Sequence, residues 1–200
     1  LALDSSNHPH IIYRDEFNGA IKYAHYNGVS WTIQTIVSSA NAHYLVLALD
    51  SLGNPHIAYH DTETGALKYV RWTGSEWNIQ IVDTIHTSGG YGVAFILDST
   101  DKAHISYYDG IQGVLKYAKW TGSEWNLIVV DSLEYYRNFG TSLALDSSGH
   151  PHIIYGVGYG NPPTTPAELF LNYAWFNGTH WIIQRIAPLY GMYVYFDYSI

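Results

Sequence analysis

Strand-length apolar runs alternate along this chain with clusters of Asp, Ser, Asn, Gly and Pro that punctuate them as turns. The arrangement is periodic. LALDSSNHPHIIY begins at Leu1 and returns as LALDSLGNPHIAY at Leu47, FILDSTDKAHISY at Phe95 and LALDSSGHPHIIY at Leu143. Asp4, Asp50, Asp98 and Asp146 are spaced by 46, 48 and 48 residues, and so are His10, His56, His104 and His152, and Tyr13, Tyr59, Tyr107 and Tyr155. A second segment repeats in step: IKYAHYNGVSW, LKYVRWTGSEW, LKYAKWTGSEW and LNYAWFNGTHW end on Trp31, Trp77, Trp125 and Trp181.

Each copy predicts four short strands rich in β-branched and aromatic residues: A (LALD), B (PHIIY), C (LKYA and two more residues) and D (opening on the Trp). DSSNHP, DSLGNP and DSSGHP read as tight A–B turns, and NG or TG as C–D turns. The 3.6-residue period of a helix is absent. Four antiparallel strands per unit of 46 to 48 residues is the mark of a β-propeller blade; solenoid repeats are shorter, and one unit is too small for its own sandwich. The expected fold is an all-β propeller with blades at about 1–46, 47–94, 95–142 and 143–190. The tail at 191–200, GMYVYFDYSI, reads as one more strand A or a closing strand. A ring completed by further blades of the parent chain is the first expectation. A ring closed by a second copy comes next, and four blades clasped by the tail last.

The pattern LALDSxGxPHIxYxD…LKYAxxxGxxW resembles propeller repeats of archaeal and bacterial cell-surface proteins. It is similar, more distantly, to the Asp-box blades of sialidases, in which a Ser/Thr-x-Asp-x-Gly-x-x-Trp turn joins strands C and D. Here Thr73-Gly74-Ser75-Glu76-Trp77 and Thr121-Gly122-Ser123-Glu124-Trp125 keep the Gly and Trp at that spacing and lack the Asp. The resemblance implies the fold and the blade register, and it does not imply sialidase activity. It also implies an extracellular or cell-surface location; a chain that begins at Leu1 reads as a processed or excised piece.

Composition narrows the partners. Net charge is −8 with 9 Lys and Arg in all, scattered singly, which disfavours nucleic acid and anionic membranes. No apolar run approaches the roughly 18 residues of a membrane span. Cysteine is absent, so there is neither a disulfide framework nor a thiolate metal site. The 19 Tyr and 7 Trp suit strands and contact surfaces alike.

Comparing the copies locates the candidate chemistry. The A–B and C–D turns, at one end of each blade, are nearly constant. The B–C loops and D–A crossings at the other end drift, and the fourth B–C loop is longer: 18 residues separate Tyr155 from Tyr173, against 10 in each other copy. Loops on a rigid scaffold are where binding sits. The candidate site therefore has Arg14, His60 and Tyr108 at the blade mouths, ringed by His43, Tyr44, His86, Tyr91, Tyr135, Tyr136, Arg137, Tyr159 and Tyr190. His10, His56, His104 and His152 recur one per blade, which sets them apart and favours structural roles over a shared metal; the same holds for the four Trp. Asp4, Asp50, Asp98 and Asp146 are turn caps first, with a ring of carboxylates around Ca²⁺ as the weaker alternative. Asp15, Asp61 and Asp109 recur in three B–C loops and give way to Val157 in the fourth; loop capping outranks paired-carboxylate glycosidase chemistry. Four Arg at non-equivalent positions make no carboxylate-binding cluster. Asn177-Gly178-Thr179 is a glycosylation sequon in a C–D turn. No cofactor is expected. The expected function is non-enzymatic: a secreted or surface propeller offering an aromatic loop face to a glycan or protein. A structural surface-layer or filament module and a glycoside hydrolase or lyase are the alternatives.

Overall fold

The computed structural model describes residues 1–85, 92–132, 140–159 and 168–189. They form four four-stranded antiparallel sheets with every strand beside its sequence neighbour. Sheet one holds β1 (Ala2–Leu3), β2 (Pro9–Asp15), β3 (Ala20–Tyr26) and β4 (Trp31–Val37). Sheet two holds β5 (Ala42–Leu49), β6 (Pro55–Asp61), β7 (Ala66–Trp72) and β8 (Trp77–Thr84). Sheet three holds β9 (Val93–Leu97), β10 (Ala103–Asp109), β11 (Val114–Trp120) and β12 (Trp125–Ser132). Sheet four holds β13 (Thr141–Leu145), β14 (Pro151–Tyr159), β15 (Glu168–Phe176) and β16 (Trp181–Leu189). Hydrogen bonding starts the later A strands ahead of their motifs, so unit limits at 46/47, 94/95 and 142/143 fall inside β5, β9 and β13. The expected extra strand at 191–200 lies outside the described residues. Among the described residues no helix is long and apolar enough to cross a membrane.

The turn chemistry explains why the motif repeats. The Asp that ends strand A turns one carboxylate oxygen back on the A–B loop: Asp4 Oδ1 accepts the N–H groups of Ser6 and His8, both at 2.8 Å. Asp50, Asp98 and Asp146 do the same in their own turns. Three residues after each Asp the backbone adopts positive φ, at Asn7 (63°), Gly53 (80°), Asp101 (61°) and Gly149 (76°). This is why only Asn, Gly and Asp occupy that position. In the C–D turns Asn27 Oδ1 accepts Val29 and Ser30 N–H, and Thr73 Oγ1 accepts Glu76 N–H. Asn or Thr thus caps the turn whose sialidase counterpart carries Asp. Each C–D pair also has a bulge at one register point, after Ile21, Leu67, Leu115 and Leu171.

The chain divides into two compact parts, Leu1–Ser88 and Gly89–Ile200. Within the first, sheets one and two share a core: Ile12 and Ile21 meet Ile57, Tyr59 and Val70. Within the second, Tyr108, Leu115, Tyr117 and Val130 of sheet three meet Ile153, Tyr155, Val157 and Ala174 of sheet four. Strands β6 and β10 are buried over all seven residues, whereas most of β4 is exposed. Trp77 and Trp181 wedge between sheets. Trp77 lies edge-on to Tyr23 at 5.4 Å and its indole N–H donates to Gln34 Oε1 at 3.0 Å, while Trp181 lies edge-on to Tyr117 at 5.5 Å. Trp31 and Trp125 sit against Tyr26 and Trp120 in their own sheets.

Candidate functional site

At the B–C end of the sheets, the Asp that closes strand B faces the Lys of strand C. Lys22 Nζ reaches Asp15 Oδ2 at 2.6 Å, Lys68 reaches Asp61 at 2.6 Å and Lys116 reaches Asp109 at 2.8 Å. The other carboxylate oxygen takes loop N–H groups, from Phe17, from Glu63, and from Ile111 and Gln112. Hydrogen bonds from Lys22 and Asn18 pull Asp15 down to about 2. Asp61 and Asp109 are buried. A buried ion pair is costly to leave half-made; where the fourth copy replaces Asp with Val157, it also replaces Lys with Asn172. Sequence reading weighed the Asp residues alone and missed Lys22, Lys68 and Lys116. The signal was their constant seven-residue offset and their joint loss in copy four.

The residues expected together at the mouths differ sharply in burial. Tyr108 is 3% exposed, belongs to the core and donates its hydroxyl to the Gly156 carbonyl at 2.7 Å. It is a packing residue rather than an accessible contact, because the facing sheet supplies both cover and acceptor. His60 is 1% exposed, and neither ring nitrogen has a hydrogen-bond partner among the described residues. Burial, with His43 alongside, holds its pKa below the ordinary imidazole value, which favours the neutral ring. Arg14 is half-buried; its Nε has no partner among the described residues, and its outer nitrogen lies 3.7 Å from Glu16. His43 is exposed and Tyr44 half-buried. The two rings are 6.2 Å apart beside a bulge in β5, and Tyr44 takes φ of 56°. A bulge and a non-glycine residue in left-handed conformation re-aim side chains, and both features concentrate at sites of function. Strands β2 and β5 touch, and Arg14 and His43 occupy the same end of them. In the adjoining B–C loop the Phe17 ring is 95% exposed; sequence reading passed over it because no other copy has an aromatic there. Tyr159 ends β14. His86, Tyr91, Tyr135, Tyr136, Arg137 and Tyr190 lie outside the described residues.

At the opposite end, the repeated His is bound within its own sheet. His10, His56, His104 and His152 each pair through Nδ1 with a strand-C tyrosine hydroxyl (Tyr23, Tyr69, Tyr117 and Tyr173) at 2.5 Å. The second ring nitrogen faces the turn-capping Asp, at 3.4 Å from Asp50 and 3.2 Å from Asp98. Burial raises the Asp98 carboxyl, but hydrogen bonds from Thr100, Lys102 and His104 outweigh it and hold the group well below the ordinary range. The Asp50 carboxyl is likewise lowered.

No protein-family model matches the chain, and no curated protein matches its sequence. Among solved structures it is similar to a polysaccharide lyase described as an ulvan lyase, with a TM-score of 0.67 and 15% identity over 96% of this chain and 58% of that one. A structure of such a lyase bound to -[GlcA(1-4)Rha3S]- matches over the same shares with a TM-score of 0.67 and 16% identity. The NanB sialidase of Streptococcus pneumoniae matches with a TM-score of 0.52 and 20% identity, over 78% of this chain and 26% of that one. The chain thus spans 58% of the lyase's length. Likeness at these identities shows the fold, and that fold is the β-propeller class, built of four-stranded antiparallel blades.

Proposed function

We propose that this chain is part of a non-enzymatic, glycan-binding β-propeller of a secreted or cell-surface protein, and that it binds at the B–C end of its first two blades. The observation that carries the reading is the state of the side chains there. Exposed Phe17 and His43, half-buried Tyr44 and the incompletely bonded guanidinium of Arg14 all gather at the end where the four copies diverge. Aromatic rings stack on sugar faces, and Arg and His hydrogen-bond the rim hydroxyls or an acidic substituent. The fold likeness to a lyase solved with -[GlcA(1-4)Rha3S]- puts saccharides first among partners to test. Hydrolysis by a pair of these carboxylates is disfavoured because Asp15, Asp61 and Asp109 are each committed to their own lysine, whereas glycoside hydrolysis needs a free acid–base pair.

The test is a panel of neutral and uronic-acid-containing oligosaccharides against the whole chain, followed by titration of the hits. Micromolar binding that falls at least tenfold in Arg14→Ala and His43→Ala, and is unchanged in Val29→Ser and Leu52→Ser at the opposite end, is the expected result. Absence of binding at high micromolar sugar, or binding indifferent to Arg14 and His43, would overturn the proposal.

A further inference from the structure

The first blade differs from the other three at one position beside its turn. In the strand register His10 is opposite His25, while His56 is opposite Arg71, His104 opposite Lys119 and His152 opposite Trp175. Three copies thus place a cation or an indole beside the repeated His, and the first places a second imidazole. The His10 and His25 rings are 4.2 Å apart and tilted by 36°. Ligand atoms of Asp4, His10 and His25 all lie within 4.8 Å of one another.

The bonding around this cluster points to a ligand. His10 is 4% exposed and its Nδ1 is taken by Tyr23. Its Nε2 is buried with no hydrogen-bond partner among the described residues: Asp4 Oδ2 stands 3.7 Å away, as Asp146 does from the half-buried His152, against 3.4 and 3.2 Å in blades two and three. A buried polar atom without a partner is costly. Asp4 is held by its other oxygen to the turn N–H groups, and His8 Nδ1 lies 3.3 Å from Oδ2. One imidazole is therefore fixed through its far nitrogen by a hydroxyl, and one carboxylate is fixed through its far oxygen. That is how outer partners orient metal ligands.

The geometry points to a divalent transition-metal site, selective for an ion of the Zn²⁺ type, formed by Asp4 Oδ2, His10 Nε2 and a ring nitrogen of His25. Two imidazoles and one carboxylate select such an ion over Ca²⁺ or Mg²⁺, which take oxygen ligands. Bonds of about 2.1 Å set tetrahedral ligands roughly 3.4 Å apart, so the half-buried Asp4 and His25 close by about an ångström around His10. Tyr23 then accepts the Nδ1 proton of His10. A fourth, non-protein ligand such as water would complete the tetrahedron. The ion ties the end of β1, only two residues long, to β2 and β3. The site is at the turn end of blade one, remote from the proposed glycan loops, and does not depend on that reading.

Calorimetric titration of the whole chain with Zn²⁺, with Co²⁺ absorption as a second readout, tests it. The expected result is one saturable site, the visible bands of four-coordinate Co²⁺, and a melting temperature that rises with Zn²⁺. His25→Arg and His25→Lys place the residues of blades two and three at this position, so they preserve the fold. Each is expected to weaken Zn²⁺ binding at least a hundredfold while leaving the metal-free melting temperature unchanged. Absence of saturable binding, binding unaffected by both variants, or competition by millimolar Ca²⁺ would each overturn the proposal.

Discussion

The same seam between neighbouring blades is built twice, once within each part of the chain, and the two versions differ in where their polar groups are satisfied. The shape-filling aromatics are constant: Trp77 on Tyr23 in one, Trp181 on Tyr117 in the other. Toward the turn end, Trp77 donates to Gln34, whereas the Trp181 indole nitrogen has no hydrogen-bond partner among the described residues and Ile128 occupies the position of Gln34. Toward the loop end the order reverses. Tyr155 donates to Asp131 and Tyr108 to the Gly156 carbonyl. Their counterparts in the first seam are Tyr59, whose hydroxyl has no partner among the described residues and faces Val37 where the second seam has Asp, and Arg14, whose Nε has none among them. Packing tolerates the exchange because the aromatic volume stays, while hydrogen bonds add a smaller net term. The lesson for function is local: the loop end of the C-terminal seam is closed by its own bonds, and that of the N-terminal seam retains unsatisfied donors.

The sharpest break would come at the equivalent positions Tyr108 and Arg14. Tyr108→Ala removes a buried ring and its hydrogen bond, so chemical denaturation is expected to show a loss of about 3–5 kcal/mol. Arg14→Ala removes a half-buried side chain whose ion pair is with the exposed Glu16, and the expected loss is below about 1 kcal/mol, together with the loss of glycan binding. Equal penalties at the two positions would mean that Arg14 is as structural as Tyr108.

A smaller contrast is expected between the two seam tyrosines. Tyr155→Phe leaves the Asp131 carboxyl without its donor and should cost about 1–3 kcal/mol. Tyr59→Phe deletes a buried hydroxyl that has no partner and should be neutral within about 0.5 kcal/mol, or stabilising. Val37→Asp in the Tyr59→Phe background separates packing from bonding: it should be worse tolerated there than beside the native tyrosine. A Tyr59→Phe penalty matching that of Tyr155→Phe would dissolve the contrast.

These pairs also show what the sequence could and could not reveal. The A–B turns were legible because their constraint is local: Asp4 caps its own loop, and positive φ admits Asn7 or Gly53. The blade count followed from the same motif. The Asp61–Lys68 ion pair was legible in principle, since both members change together in copy four. Tyr108 was not legible. A tyrosine at the end of a strand reads alike whether it faces solvent or the next sheet, and its acceptor, the Gly156 carbonyl, carries no side-chain signature. His25 was hidden for the opposite reason. It varies among the copies, as free surface positions do, and only strand pairing sets it beside His10.

The finest test of the comparison is its pH dependence, because Asp131 puts an ionisable group in one seam and Val37 puts none in the other. Burial raises the Asp131 carboxyl above its ordinary value, and the Tyr155 hydrogen bond offsets only part of that rise. Folded protein therefore binds more protons at this site than unfolded protein does. The contribution of Asp131 is fully present below the ordinary value of 3.8 and is lost as pH rises through the folded one. Asn at this position still accepts from Tyr155 but does not titrate, so the penalty of Asp131→Asn should be larger in acid than at neutral pH. The whole protein moves the other way: Asp4, Asp50, Asp61, Asp98 and Asp146 are held low, and their stabilisation is lost as pH falls through their folded values. Comparing variant with parent at each pH cancels that shared trend and isolates the seam. If the Asp131→Asn penalty grew toward neutrality instead, Tyr155 would be stabilising a charged carboxylate. The C-terminal seam would then be closed by an ionic hydrogen bond, and its contrast with Val37 and Tyr59 would be one of charge rather than of burial.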